Sequence, residues 1–179
     1  MHSKGLSYKV LLVFVALIWQ CSLSARPKSA GAAFCLSGIS LSYEHETDKY
    51  NFLDFSIKTE LADLYFGKGD RAGYSLSFTW NNVVKEWKSD NGERMRFYIG
   101  PGAAIGYGKD LKTDYGLFFG LKGRVGYECL FERGVCLSVG IAPVFGQHVT
   151  KSDEAIVMRG YRNGLIYGLT PEIGIRYSF

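Results

Sequence analysis

The chain has 179 residues, 47% hydrophobic and 15% aromatic, with 22 Gly, 4 Pro and a formal net charge of +4. That is one domain's worth of chain, too hydrophobic for intrinsic disorder, without the third-position glycine of collagen or the heptad composition of a coiled coil. The charge is too small to imply a nucleic-acid partner, the more so because Lys4 and Lys9 fall in a segment expected to be removed.

The first element is a leader. His2, Lys4 and Lys9 make a basic start, Val10 to Trp19 an apolar run, and Ser22-Leu23-Ser24-Ala25 supplies small residues for cleavage after Ser24 or Ala25. This is the three-part secretory pattern. The run reaches only about 15 Å as a helix, half of a bilayer core of about 30 Å, so it reads as a signal and not as an anchor. Cys21 follows Trp19-Gln20 rather than a small residue, which argues against lipidation. Residues 1–25 are therefore expected to leave, and residues 26–179 to form one domain. No later run is long and apolar enough for a spanning helix.

The mature chain alternates. Ile39, Leu41 and Tyr43 interleave with Gly38, Ser40 and Ser42. Leu53, Phe55 and Ile57 interleave with Asp54, Ser56 and Lys58, and Tyr74, Leu76, Phe78 and Trp80 with Gly73, Ser75, Ser77 and Thr79. The pattern returns over 96–107, 117–128 and 135–146, and from Leu165 to Phe179. Period-2 alternation marks strands with one apolar and one polar face. Runs this long exceed the usual five or six residues and suit a tilted path through a bilayer. Turn signals separate them, among them Glu46-Thr47-Asp48-Lys49, Gly67-Lys68-Gly69-Asp70, Ser89-Asp90-Asn91-Gly92, Glu132-Arg133-Gly134 and Arg162-Asn163-Gly164. Seven strands are clear; a closed antiparallel sheet needs an eighth, placed at 153–161.

No apolar face carries a charge. The opposite faces carry Asp54, Lys58, Arg96, Lys122, Arg124, Glu128, Glu172 and Arg176. A charge against lipid costs about 2–4 kcal/mol at mid-depth, so one face of every strand is fit for lipid. The expected fold is all-β, an eight-stranded antiparallel up-and-down transmembrane β-barrel following a cleaved signal peptide. The competing soluble barrel or sandwich would turn the same aromatics inward.

With the leader, the repeated amphipathic strands and the ending Ile173-Gly174-Ile175-Arg176-Tyr177-Ser178-Phe179, the chain resembles the small outer-membrane β-barrels of Gram-negative bacteria, and is similar to uncharacterised barrels of the Bacteroides group. The resemblance implies an outer-membrane location, contact with outer-membrane lipid, a monomer, and an assembly signal in Phe179, Tyr177 and Ile175 read by barrel-assembly machinery. It implies no activity.

Chemistry-bearing motifs are sparse. The chain has 3 His, one of them in the leader. Barrel enzymes that modify lipid A place His and Ser two apart on the outer wall; here His148-Val149-Thr150 has Thr in place of Ser, and His148 has interior parity. His45 with Asp48 and Ser40 or Ser42 can be drawn as a triad, but such residues occur in any turn. No His/Cys cluster has metal spacing, and Gly100-Pro101-Gly102 follows strand alternation rather than forming a phosphate loop. No catalytic residue, cofactor or metal is assigned. Cys35, Cys129 and Cys136 remain after the leader; Cys129 and Cys136 flank one turn but differ in parity, and a bulge at Gly134 would pair Leu130 with Cys136, so no bridge is expected there. The eight interior charges read as an ion-pair network filling a narrow barrel, against the alternative of a selective anion pore. The functional expectation is a non-enzymatic barrel with a role in envelope structure or surface interaction; the alternatives are a lipid A-modifying acyl hydrolase or transferase and a secreted lipid-binding barrel.

Overall fold

The computed structural model describes residues 27–67, 71–90, 92–111, 114–152 and 155–179; the expected leader and Cys21 lie outside them. The described residues form ten strands: β1 (Lys28–Cys35), β2 (Gly38–Glu46), β3 (Asn51–Glu60), β4 (Gly73–Lys88), β5 (Arg94–Lys109), β6 (Tyr115–Leu130), β7 (Val135–Ile141), β8 (Val144–Ser152), β9 (Ala155–Gly160) and β10 (Glu172–Ser178). Two short helices interrupt them, α1 (Ala62–Tyr65) and α2 (Arg162–Gly168). β1 to β6 pair in sequence, β6 pairs with β7, β7 with β10, and β10 with β1, all antiparallel, so the sheet closes.

The ten strands make eight staves. β7 and β8 lie along β6 in one unbroken register, Val125 opposite Ile141 and Lys122 opposite Val144. Pro143 divides them: its carbonyl accepts the Gly123 N–H at 2.9 Å, but proline has no N–H to return. On the far side, β9 pairs with β8 and β10 with β7. The last stave is thus β9, α2 and β10 end to end. The connections after Glu46, Lys88 and Leu130 lie at the end where Lys28 and Phe179 exchange backbone hydrogen bonds of 3.2 and 2.8 Å, here called the lower end. The opposite end carries the Leu36–Ser37 turn, α1 and the β8–β9 hairpin.

Two sequence expectations need correction. The segment 153–161 does hold a strand, β9, but it is only the upper part of the last stave. The missing stave is β1, whose Lys-Ser-Ala-Gly-Ala-Ala-Phe-Cys has too few large apolar residues to alternate visibly. The chain from Leu165 to Thr170 is not strand either: Arg162-Asn163-Gly164 begins α2 instead of a hairpin turn. The reason is close packing. A Cβ on Gly164 would meet the Val144 carbonyl oxygen at 2.6 Å, and one on Gly168 would meet the Pro143 Cα at 2.4 Å. These two glycines, one helical turn apart, let the helix approach the Pro143–Val144 backbone closely.

The faces sort as the alternation requires. Leu41, Phe55, Leu76, Ile105, Leu121, Phe145, Ile173 and Ile175 are exposed on the outer wall, while Glu44, Asp54, Arg96, Arg124, Glu128 and Arg176 are buried inside. The soluble alternative, with aromatics inward and charges outward, is therefore not the arrangement of this barrel. Around Gly134, whose φ of 78° suits glycine, Leu130 pairs with Cys136 and Cys129 with Leu137. The two cysteines consequently lie on opposite faces, and Cys35, Cys129 and Cys136 are all free thiols.

Candidate functional site inside the barrel

The lower interior is a layer of arginines and carboxylates. Glu44 and Asp54 are direct cross-strand partners on β2 and β3, an unfavourable pairing of like charges unless cations reach it. Three arginines do so from the other walls. Arg96 on β5 bonds Glu44, Glu46 at 2.8 Å and Glu128 at 2.5 Å. Arg176 on β10 bonds Glu128 and stands 3.3 Å from Glu44 and 3.8 Å from Asp54. Arg124 on β6 bonds Asp54 at 2.6 Å and lies 3.9 Å from Glu172. Two aromatics complete the layer: the Arg96 guanidinium stacks over Phe52 at 4.3 Å, Arg124 lies over Tyr98 at 5.5 Å, and the two rings meet edge to face at 5.0 Å. Buried charges are tolerable only when each is paired and hydrogen-bonded, and here each arginine touches at least two carboxylates.

The structure therefore brings together Asp54, Arg96, Arg124, Glu128, Glu172 and Arg176. It sets Lys58 and Lys122 apart, in the upper half. Lys58 donates to Ser37 Oγ at 2.5 Å and Lys122 to Ser77 Oγ at 2.7 Å. Glu44 and Glu46 are members that sequence reasoning missed. Glu44 continues the inward parity of Ser40 and Ser42, so extending β2 by one residue past Tyr43 finds it; Glu46 falls in the turn signal Glu46-Thr47-Asp48-Lys49.

A third layer closes the upper end. Tyr161, at the start of α2, points inward, stacks on Phe118 at 4.2 Å, faces the His148 ring at 6.1 Å and donates to Glu60 at 3.1 Å. His148 Nε2 lies 3.0 Å from the Gly108 carbonyl oxygen. Asp110, in the β5–β6 loop, accepts the Asn163 N–H at 2.7 Å, and Asn163 Nδ2 donates to the Lys109 carbonyl at 2.9 Å.

No candidate triad assembles among the described residues. His148 is buried inside, its ring against Gly108 and Tyr161. The Asp48 carboxylate is occupied in its own turn, accepting from the backbone of Tyr50 and Asn51 and from the Asn51 side chain. Ser40 is buried on the inward face, away from His45. No group of three or more His, Cys, Asp or Glu among the described residues could hold a metal. Phe179 ends β10's stave with its backbone paired to Lys28 and its ring exposed; Tyr177 and Ile175 are exposed on the same outer face.

The geometry defines a class, the closed eight-stranded antiparallel β-barrel with a charged interior and an apolar exterior. Comparison with protein-family models, with curated proteins and with solved structures returned no match.

Proposed function

We propose that this chain is a monomeric, non-enzymatic outer-membrane β-barrel, exported by a cleaved signal, assembled by barrel-assembly machinery, and serving envelope structure or surface interaction. The observation that carries the reading is sidedness. The outer wall is a belt of exposed aliphatic and aromatic side chains, while every arginine–carboxylate pair of the lower layer faces inward. In water that belt would be a very large apolar patch; in a bilayer it is the ordinary outer surface of a barrel. Closure supports the same reading, because a sheet without edges is the strand arrangement that hydrocarbon accepts. Phe179, Tyr177 and Ile175, exposed on the last strand, suit recognition during insertion. Cell fractionation tests the proposal: the protein should sediment with outer-membrane vesicles, resist extraction by high salt, and migrate faster unheated than boiled on a denaturing gel. Recovery in the soluble periplasmic or culture fraction would overturn it.

A further inference from the structure

Among the described residues β9 is the one strand with a single neighbour, β8. The barrel closes at the β1–β10 seam, and the last stave rises past it. Glu172 at the top of β10 lies level with Gly140, and Gly160 at the foot of β9 with Gln147, seven residues further along the β7–β8 stave. At about 3.3 Å per residue, β9 starts roughly 23 Å beyond the level where β1 turns into β2. Its second edge therefore faces no strand. One bond sets the phase of that edge. The Tyr161 N–H donates to the Gly146 carbonyl at 2.9 Å, in register with the Gly160–Gln147 and Arg159–His148 pairs. Bonded and non-bonded pairs alternate along an antiparallel ladder. Val157 and Arg159 therefore turn their backbone groups to β8, while Ile156, Met158 and Gly160 turn theirs to the open side. Natural edges are ordinarily blunted by proline, lysine, a bulge or a cover. β9 has neither proline nor lysine and keeps an unbroken register. Ile156 and Met158 are 78% and 59% exposed on the outer face, and Arg159, exposed on the other face, has no ion-pair partner among the described residues.

We propose that the open edge of β9 is a docking site for an extended segment of a different polypeptide, which adds to the sheet as an antiparallel strand. The free N–H and C=O groups of Ile156, Met158 and Gly160 repeat at the spacing of a strand, and another strand is the partner that matches them. The segment that fits carries apolar side chains beside Ile156 and Met158 and a carboxylate beside Arg159. The proposal gives a partner class to the surface interaction of the proposed function and rests on that reading at two points. Lys151, paired with Ile156 and exposed on the outer face, sets β9 above the hydrocarbon, where a partner in water reaches it. A second copy does not fit: antiparallel pairing of two β9 edges needs a half-turn about the sheet normal, which inverts one barrel, whereas copies inserted in one membrane stand the same way up.

The probe is the blocked peptide Thr-Glu-Val-Thr-Val-Thr, titrated into the folded full barrel in octyl glucoside and followed by NMR at single amides. Saturable binding is expected, with slowed exchange at the amides of 156, 158 and 160 and no change at 157 and 159. Met158→Pro removes a donor that β8 does not use, so the barrel should fold while affinity falls at least about tenfold. Arg159→Gln should weaken this peptide and leave unchanged its counterpart with Gln in place of Glu. Lys88→Met, at the lower end of β4, should alter neither. Absence of saturable binding, equal affinity in Met158→Pro, or slowed exchange at both parities would overturn the proposal. Should Met158→Pro fail to refold, the alternation of slowed amides in the unmodified barrel decides. A dimer seen by light scattering and abolished by Met158→Pro would assign the edge to a second copy and overturn the choice of partner. Peptide binding to purified barrel is independent of where the barrel resides, so its failure is distinct from failure of the fractionation test.

Discussion

Leu121 and Arg124 lie on one strand and mark its two sides, 73% and 7% exposed. Leu121→Arg should destabilise the bilayer-inserted barrel by about 2–4 kcal/mol, and Arg124→Leu by about 3–5 kcal/mol because Asp54 loses its closest cation. Urea midpoints of the refolded protein in vesicles give both numbers. Spin labels at 121 and 125 should be reached by lipid-soluble oxygen, and a label at 124 shielded; the reverse order would turn the barrel inside out. Glu44→Gln should likewise cost about 3–5 kcal/mol, since Arg96 and Arg176 both lean on that carboxylate. Glu46→Gln, nearer the rim, should cost no more than about 1 kcal/mol in the same measurement. Parity alone told which charges point inward, because the side-chain period of a strand leaves no freedom. It could not tell which inward charges meet. Arg124 finds Asp54 and Lys122 finds Ser77 only because strands distant in sequence face each other across the lumen.

At the scale of elements, α2 is held by a borrowed cap. Tyr161 at its N-cap makes no side-chain cap bond, and Asp110 from another loop takes the Asn163 N–H instead. Asp110→Ala should therefore cost about 1–2 kcal/mol, read as a lower urea midpoint, and should increase amide exchange in 161–168 ahead of the rest of the barrel. β10 separates two roles of its last residue. Phe179→Ala keeps both backbone bonds to Lys28, so purified barrel should keep its stability, while assembly in cells falls through loss of the exposed ring. Deletion of Phe179 removes those bonds too and should lower both. Heat-modifiable mobility in membranes and urea melts of purified protein distinguish the two variants. The long staves were readable because large side chains alternate along them. β1 was not, since its Ala-Gly-Ala-Ala core carries little contrast between faces. Alternation runs on through α2 because Leu165, Tyr167 and Leu169 fall in step with the strand that follows, and what favours helix is the close fit of Gly164 and Gly168 onto the Pro143–Val144 backbone.

Taken whole, the lumen is crossed at three levels: ion pairs below, Lys58 and Lys122 with their serine partners in the middle, and Tyr161 with Phe118 above. A barrel packed in this way should pass no steady current. Planar-bilayer recordings of the purified protein should remain at baseline, and stepwise conductance would show that α2 and its tyrosine leave the lumen. The seam between β1 and β10 carries a different consequence, for the order of events. It joins Ser29 to Ser178 and Phe34 to Ile173, the most distant pairing in the sheet. Closing so long a loop costs about 3 kcal/mol beyond the cost of a four-residue turn, and contacts of this range slow folding. Until it closes, two strands each present a row of unpaired N–H and C=O groups that hydrocarbon does not tolerate. On the outer-membrane reading proposed above, a half-built wall has no stable resting place in a bilayer: insertion and zipping of the β1–β10 seam are then one cooperative act, timed by the arrival of β10.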